Sequence, residues 1–135
     1  MLTRGKLASS TGCNAETIRY FERIGLLPEP VRSQAGYRQY DDSHIRRLRF
    51  IQRAKSLGFS TQQIRDLLAL SEEGGHTRAE VKQLTDTHID AISEKIQDLK
   101  KIKDRLTAIS SHCDGTSQPA NTCPILDTLF DELDA

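Results

Sequence analysis

From Thr77 to Ser111 the chain carries neither glycine nor proline, so nothing there interrupts a helix. Val81, Leu84, Ile89, Ile92, Ile96, Leu99, Ile102, Leu106 and Ile109 recur in steps mostly of three and four, and Ile92, Leu99 and Leu106 repeat at every seventh position. At 1.5 Å of rise per residue such a helix runs for about 50 Å. A chain of 135 residues has too little material left to cover that length. A narrow apolar stripe on so long a helix needs a partner, and a second copy of the same helix is the simplest one. The spacing therefore predicts a coiled-coil dimerisation helix over 77–111; the alternative is a helix folded back on its own head.

The segment before it reads as a small helical domain over 1–70. Leu2 to Thr11 suits a short helix, and Thr11-Gly12-Cys13-Asn14 a turn with Asn14 as the next N-cap. Residues 15–24, AETIRYFERI, place Ala15, Ile18, Phe21 and Ile24 on one face; Gly25, Pro28 and Pro30 end that helix. Helix, turn and helix within about 25 residues is the arithmetic of a helix-turn-helix. Val31 and Arg32 can pair with Tyr37 to Tyr40 around Ser33-Gln34-Ala35-Gly36 as a small hairpin. Asp41 or Asp42 then caps a third helix carrying Ile45, Leu48, Ile51 and Ala54. Ser60-Thr61-Gln62-Gln63 is a capping-box pattern that opens a fourth, through about Leu70. Residues 112–135 hold a polar loop and a short amphipathic helix, Pro124 to Leu133, whose Ile125, Leu126, Leu129, Phe130 and Leu133 suit docking on the long helix.

The net charge of zero hides an asymmetry. Residues 1–60 hold 11 Lys and Arg against 5 Asp and Glu, while residues 61–135 hold 8 against 14. A basic head on an acidic remainder fits binding of a polyanion by the head. The second helix offers Thr17, Arg19, Tyr20 and Arg23; the hairpin adds Arg32, Tyr37 and Arg38; the third helix adds Arg46, Arg47, Arg49 and Arg53. Guanidinium forks and phenol hydroxyls on two successive elements suit double-stranded DNA, with Thr17, Arg19, Tyr20, Arg32, Tyr37 and Arg38 as the candidate contacts. No phosphate loop, nucleophile motif or paired acid–base residues argue for an enzyme. No run approaches the roughly 18 apolar residues of a membrane span, and no apolar signal core follows Met1, so a cytoplasmic location without a membrane partner is expected.

The stretch TGCNAETIRYFERIGLLPEPVRSQAGYRQYDDSHIRRLRFIQRAKSLGFSTQQIRDLLAL resembles the head of the MerR family. TIRYFE, IGLLP, GYRQY and LGFS carry the resemblance, which continues to the C-terminal cysteines. It implies a mainly α fold: a winged helix-turn-helix head with a small β-hairpin wing, followed by a long antiparallel coiled-coil dimerisation helix. It implies a homodimer on promoter DNA with an over-long spacer, distorted so that RNA polymerase can engage it. Arg19, Tyr20, Tyr37 and Arg38 are, by the same resemblance, contacts to the DNA backbone.

Three cysteines in a chain expected in the cytoplasm argue against a disulfide framework. Cys13 suits apolar packing before the second helix. Cys113 and Cys123 end a nine-residue loop containing Gly115 and Pro119, and two thiols so placed suit a soft or borderline metal, an unreactive pair or a redox couple. The loop and its Cys-Pro-Ile-Leu exit also resemble the metal-binding loop of the metal-responsive branch, which implies a metal ligated by Cys113 and Cys123. Divalent-ion sensors of that branch carry a further Cys at the start of the long helix, and copper-type members a Ser; Arg78 takes that position here. Two thiolates around a monovalent ion leave a charge of −1 that Arg78 suits as partner, which favours a copper(I)-type ion. His76 and His112 are candidate imidazole ligands, which keeps Zn(II) or another divalent ion as the runner-up. A regulator of the same family answering oxidative or electrophilic stress through its thiols is the functional alternative. A sensor of organic molecules is disfavoured, since about 20 residues after the long helix cannot enclose a drug-sized pocket.

Overall fold

The computed structural model describes residues 1–131. Two compact units divide at Val81 and Lys82. The first holds α1 (Arg4–Thr11), α2 (Ala15–Arg23), β1 (Val31–Arg32), β2 (Arg38–Gln39), α3 (Asp42–Ser56) and α4 (Thr61–Glu72). The long helix α5 (Arg78–Ser110) begins in it and runs into the second unit, which adds a 3-10 turn (Ala120–Thr122) and α6 (Pro124–Asp131). The fold is thus mainly helical with one two-stranded antiparallel hairpin, as the sequence implies.

Local chemistry sets these boundaries. The Asn14 side chain accepts the Thr17 backbone N–H at 2.8 Å and so caps α2. Asp41 caps α3 in a reciprocal box with His44, and Ser60 caps α4 in another with Gln63. Each such cap is worth about 1 kcal/mol. Gly12 stands at φ 74°, a left-handed conformation that closes α1 at low cost only for glycine. Gly36, at φ 87°, does the same for the hairpin, where Val31 pairs with Gln39 and Arg32 with Arg38.

Three expectations need correction. Leu2 lies outside α1 and bridges to Tyr40, with both backbone hydrogen bonds at 2.7 Å, so the chain start adds an edge to the hairpin region. The helix α4 continues two residues past Leu70 because Ser71 and Glu72, though polar, keep helical bonding before Glu73 turns to extended backbone. Leu126, Leu129 and Phe130 stay exposed, so docking on the long helix does not cover them; Leu133, assigned to the same face, lies outside the described residues.

The core belongs to the first unit. Leu7, Ile18, Leu26, Leu27, Tyr40, Leu48, Ile51 and Ile64 are fully buried, drawn from α1, α2, the turn after it, the end of the hairpin, α3 and α4. At about 1.5–3 kcal/mol for each large apolar side chain, this cluster supplies the driving force for the head. Within α5, by contrast, Ile89, Ile92, Ile96, Leu99, Ile102 and Leu106 are exposed. The stripe legible in the sequence is thus an uncovered apolar face along a 33-residue helix.

Candidate nucleic-acid interface and thiol site

Packing Ile18 and Phe21 inward turns the opposite face of α2 to solvent. Arg19 and Tyr20 are exposed there, Arg19 bonded to Glu16 at 3.2 Å within the helix. The Arg23 guanidinium stacks 5.7 Å from the Tyr20 ring centre, which orients both side chains. Thr17 is half-buried at the first turn. A cleft between α2 and the hairpin is lined by Arg19, Arg23, Arg32 and Arg38 together with Glu22 and Glu29. The structure therefore gathers three of the candidate arginines and adds Arg23. Tyr37 projects from the hairpin, 73% exposed. Arg32 also donates to the Gly36 carbonyl at 2.9 Å, so part of its fork steadies the hairpin turn.

Behind this face sits a network that no local pattern announces. The Tyr40 hydroxyl donates to Glu22 at 2.9 Å, and Arg4 reaches the other Glu22 oxygen at 3.4 Å and the Tyr40 hydroxyl at 3.3 Å. Glu22 is only 9% exposed, so its charge is paid for by these partners. Burial pushes the Tyr40 phenol above its ordinary value. The network ties α1 and α2 to Tyr40, the residue that follows β2, and its members lie 18 and 36 residues apart. Arg47, grouped in the sequence with the basic face of α3, is half-buried instead. It donates to the Leu26 carbonyl at 2.6 Å and pairs with Glu72, which makes it a strut between the α2 exit and α4.

In the second unit Cys113 follows the end of α5 and Cys123 precedes Pro124 of α6. Their Sγ atoms lie 3.3 Å apart, and both thiols are free and half-buried. The hydrogen bond within the pair, followed by the backbone of Ile125 at the start of α6, holds the Cys123 thiol below its ordinary value. His112, Asp114 and Thr122 line the same cleft as the two cysteines. Among the described residues no third His, Cys, Asp or Glu completes a ligand cluster. His76 lies in the first unit, its Nδ1 at 2.8 Å from Glu80 and its Nε2 at 3.2 Å from Glu73. Both ring nitrogens thus face carboxylates, an arrangement suited to imidazolium. Arg78 opens α5 and is exposed. Cys13 is buried as expected, and burial raises its thiol.

A compact helical head with an arginine-bearing second helix and an arginine-bearing hairpin defines a winged helix-turn-helix protein. Residues 2–71 match the model of the MerR HTH family regulatory proteins, and residues 45–109 that described as MerR, DNA binding. The chain is 39% identical over 126 residues to the mercuric resistance operon regulatory protein of Bacillus cereus, covering 93% of this chain and 95% of that one. It superimposes with a TM-score of 0.84 on the transcription regulator PbrR691 of Ralstonia metallidurans CH34 in complex with lead(II), at 34% identity, over 96% of this chain and 99% of that one. The dual-function regulator MerR of Bacillus megaterium MB1 with mercury(II) follows at 0.72 and 34%, with the same shares covered. The chain belongs to the MerR family of helix-turn-helix transcription regulators, which are not enzymes and bind promoter DNA as dimers.

Proposed function

We propose that this protein is a homodimeric, metal-responsive transcription regulator of the cytoplasm that senses a thiophilic ion through Cys113 and Cys123. The observation that carries the sensing role is the 3.3 Å approach of two free thiols across a ten-residue separation. A pair so close, with the Cys123 thiol held below its ordinary pKa by Cys113, is prepared for a soft ion. The similarity to regulators solved with lead(II) and mercury(II) supports a metal as the signal. The working segments are residues 1–70 for DNA, 77–111 for dimerisation and 112–135 for the effector loop and terminal helix. Thr17, Arg19, Tyr20, Arg32, Tyr37 and Arg38 meet the DNA, joined by Arg23. The exposed stripe of α5 pairs antiparallel with its copy in the partner subunit. Metal binding changes the shape imposed on a promoter with an over-long spacer, and RNA polymerase reads that change.

Two readings of the ion stand on different observations. A donor set of two thiols in the chain favours a two-coordinate, copper(I)-type ion, with Arg78 of the partner subunit offsetting its charge. The thiol separation favours a bent site. With metal–sulfur bonds of about 2.3 Å, two sulfurs stand about 4.6 Å apart in a linear site and about 3.8 Å apart in a tetrahedral one. The pair at 3.3 Å opens less to reach the second. Zn(II) or another divalent ion, its shell completed by His112 or water, is the alternative that follows. X-ray absorption on reduced, metal-loaded protein decides between them. Two sulfurs alone support the monovalent reading, and added nitrogen or oxygen in a four-coordinate shell replaces it with the divalent one. Failure of the reduced chain to hold any thiophilic ion against a competing chelator overturns the sensing role.

A further inference from the structure

The cleft around Cys113 and Cys123 has two properties that a bare cation does not use together. The first is its donor count. The two free thiols stand 3.3 Å apart, and among the described residues no third His, Cys, Asp or Glu joins them in a ligand cluster. The second is an apolar wall. Pro119, Ala120, Ile125 and Leu126 line the same cleft, which holds about 560 Å³ and is open to solvent. Clefts that take small organic molecules run from about 300 to about 1,000 Å³. A cation is served by the sulfurs and gains nothing from four apolar neighbours.

The sulfur separation sets the angle at any atom that bridges the pair. With bonds of about 2.3 Å, a right angle at that atom puts the sulfurs about 3.3 Å apart, closer than a tetrahedral or a linear centre does. Near-right-angled bonding is the habit of a trivalent main-group atom that carries a lone pair. Arsenic(III) is such an atom, it is thiophilic, and its bonds to sulfur are of about this length. The thiols meet it without opening.

Donor count and charge select the form of the arsenic. Trivalent arsenic bearing one organic group has two exchangeable positions, and two thiols fill both. At each position an As–O bond breaks and an As–S bond forms, and the thiol proton leaves with the hydroxide as water. One organodihydroxyarsine and two thiols thus give one cyclic dithioarsinite and two waters, with no change of oxidation state. The product is neutral. Two thiolates on a monovalent ion keep a negative charge in a cleft that Asp114 also lines, and that charge needs a cation from elsewhere; the dithioarsinite needs none. Its third substituent is the organic group, for which the apolar wall is suited.

We infer that Cys113 and Cys123 capture monosubstituted trivalent organoarsenicals, with the organic group seated against Ile125 and Leu126. The inference rests on the reading of this pair as the effector site and adds a ligand class to it. Covalent capture needs no enclosing pocket, so the short chain after α5 suffices.

The probe is phenylarsine oxide, added to full-length protein that has been reduced and freed of reductant under nitrogen. Intact-mass spectrometry is expected to show one phenylarsenic per chain with two thiol hydrogens lost. Alkylation mapping finds Cys113 and Cys123 both protected and Cys13 as in arsenic-free protein, and arsenic-edge X-ray absorption reports two sulfurs and one carbon. Cys113→Ser and Cys123→Ser each leave one thiol, so retention against dimercaptopropanol falls about a hundredfold or more, whereas Cys13→Ser holds the probe like wild type. Leu126→Gln lowers retention of the phenyl probe about threefold more than that of methylarsonous acid; equal losses overturn the seating of the organic group. Attachment through one cysteine, or a single-cysteine variant that retains the probe like wild type, overturns the capture. A chain that holds copper(I) or zinc(II) against a chelator but not the arsenical sinks this inference alone. A chain that holds none of the three sinks the effector reading with it.

Discussion

At the scale of single residues, two side-chain clusters carry testable chemistry. Cys113 and Cys123 lie outside the basic face of the head and off the exposed stripe of α5. Cys113→Ser and Cys123→Ser are therefore expected to abolish metal-dependent transcription while leaving dimerisation and DNA affinity within about twofold of wild type, read by sedimentation and fluorescence anisotropy. Full induction by metal in the double variant would remove the site from consideration. The second cluster is His76 between Glu73 and Glu80 at the junction of α4 and α5. Glu73 first, then Glu80, raises the His76 pKa above 6.5, while the Thr77 backbone and His76 lower that of Glu80. A raised folded value means this pairing is fully present below about pH 6.5 and is lost as pH rises through the folded pKa. A proton-NMR titration should place the His76 midpoint above its ordinary value, and Glu73→Gln should bring it down; a midpoint at or below 6.5 in wild type contradicts the pairing. The thiol pair was legible in the sequence because two cysteines bracket a loop with a proline and a glycine. The carboxylates that claim His76 were adjacent in sequence too, but only the turn geometry at the helix junction aims both at one imidazole.

Whole elements were legible where their signals are local. Asn14, Ser60 and Gln63 mark helix starts by accepting backbone N–H groups three positions away, so composition and spacing suffice to find them. The Arg4–Glu22–Tyr40 network and the Arg47–Glu72 strut escaped, because each joins residues that only tertiary packing brings together. Arg47 shows the cost of reading charge without burial: four arginines in one helix look alike in sequence, and packing separates one from the other three. The α5 stripe is the element whose meaning is clearest from sequence and least satisfied within one chain. Ile92, Leu99 and Leu106 are each exposed. Replacing the three with Glu is expected to convert the dimer to monomer at micromolar concentration by sedimentation equilibrium, with operator binding falling in parallel, because two linked heads bind far more tightly than one. A wild-type chain that sediments as a monomer would contradict the dimer, and a variant that remains dimeric would place the interface elsewhere.

On the scale of the whole molecule, the proposed function assigns binding to the basic half of the chain and signalling to the acidic half. The basic head supplies affinity through phosphates, so Arg19→Ala or Arg38→Ala should weaken binding to specific and scrambled duplex alike, by about tenfold for the dimer near 0.15 M salt, and flatten the salt slope. A change of base preference without loss of general affinity would move either residue off the backbone. The cysteines of the proposed effector site lie in the other unit, and on the proposed reading they contribute nothing to that affinity. If metal acts by reshaping bound DNA and not by recruiting the protein to it, metal-loaded and metal-free forms must bind the operator almost equally. Linkage then imposes a reciprocal result: whatever factor separates the two operator affinities must also separate the metal affinities of free and DNA-bound protein. We expect that factor to be below about threefold, under about 0.7 kcal/mol, while metal still raises transcription strongly. Chelator-competition titrations with and without a saturating operator duplex measure it directly. A factor above about tenfold would mean that metal controls occupancy, and the DNA-distortion mechanism would give way to binding and release.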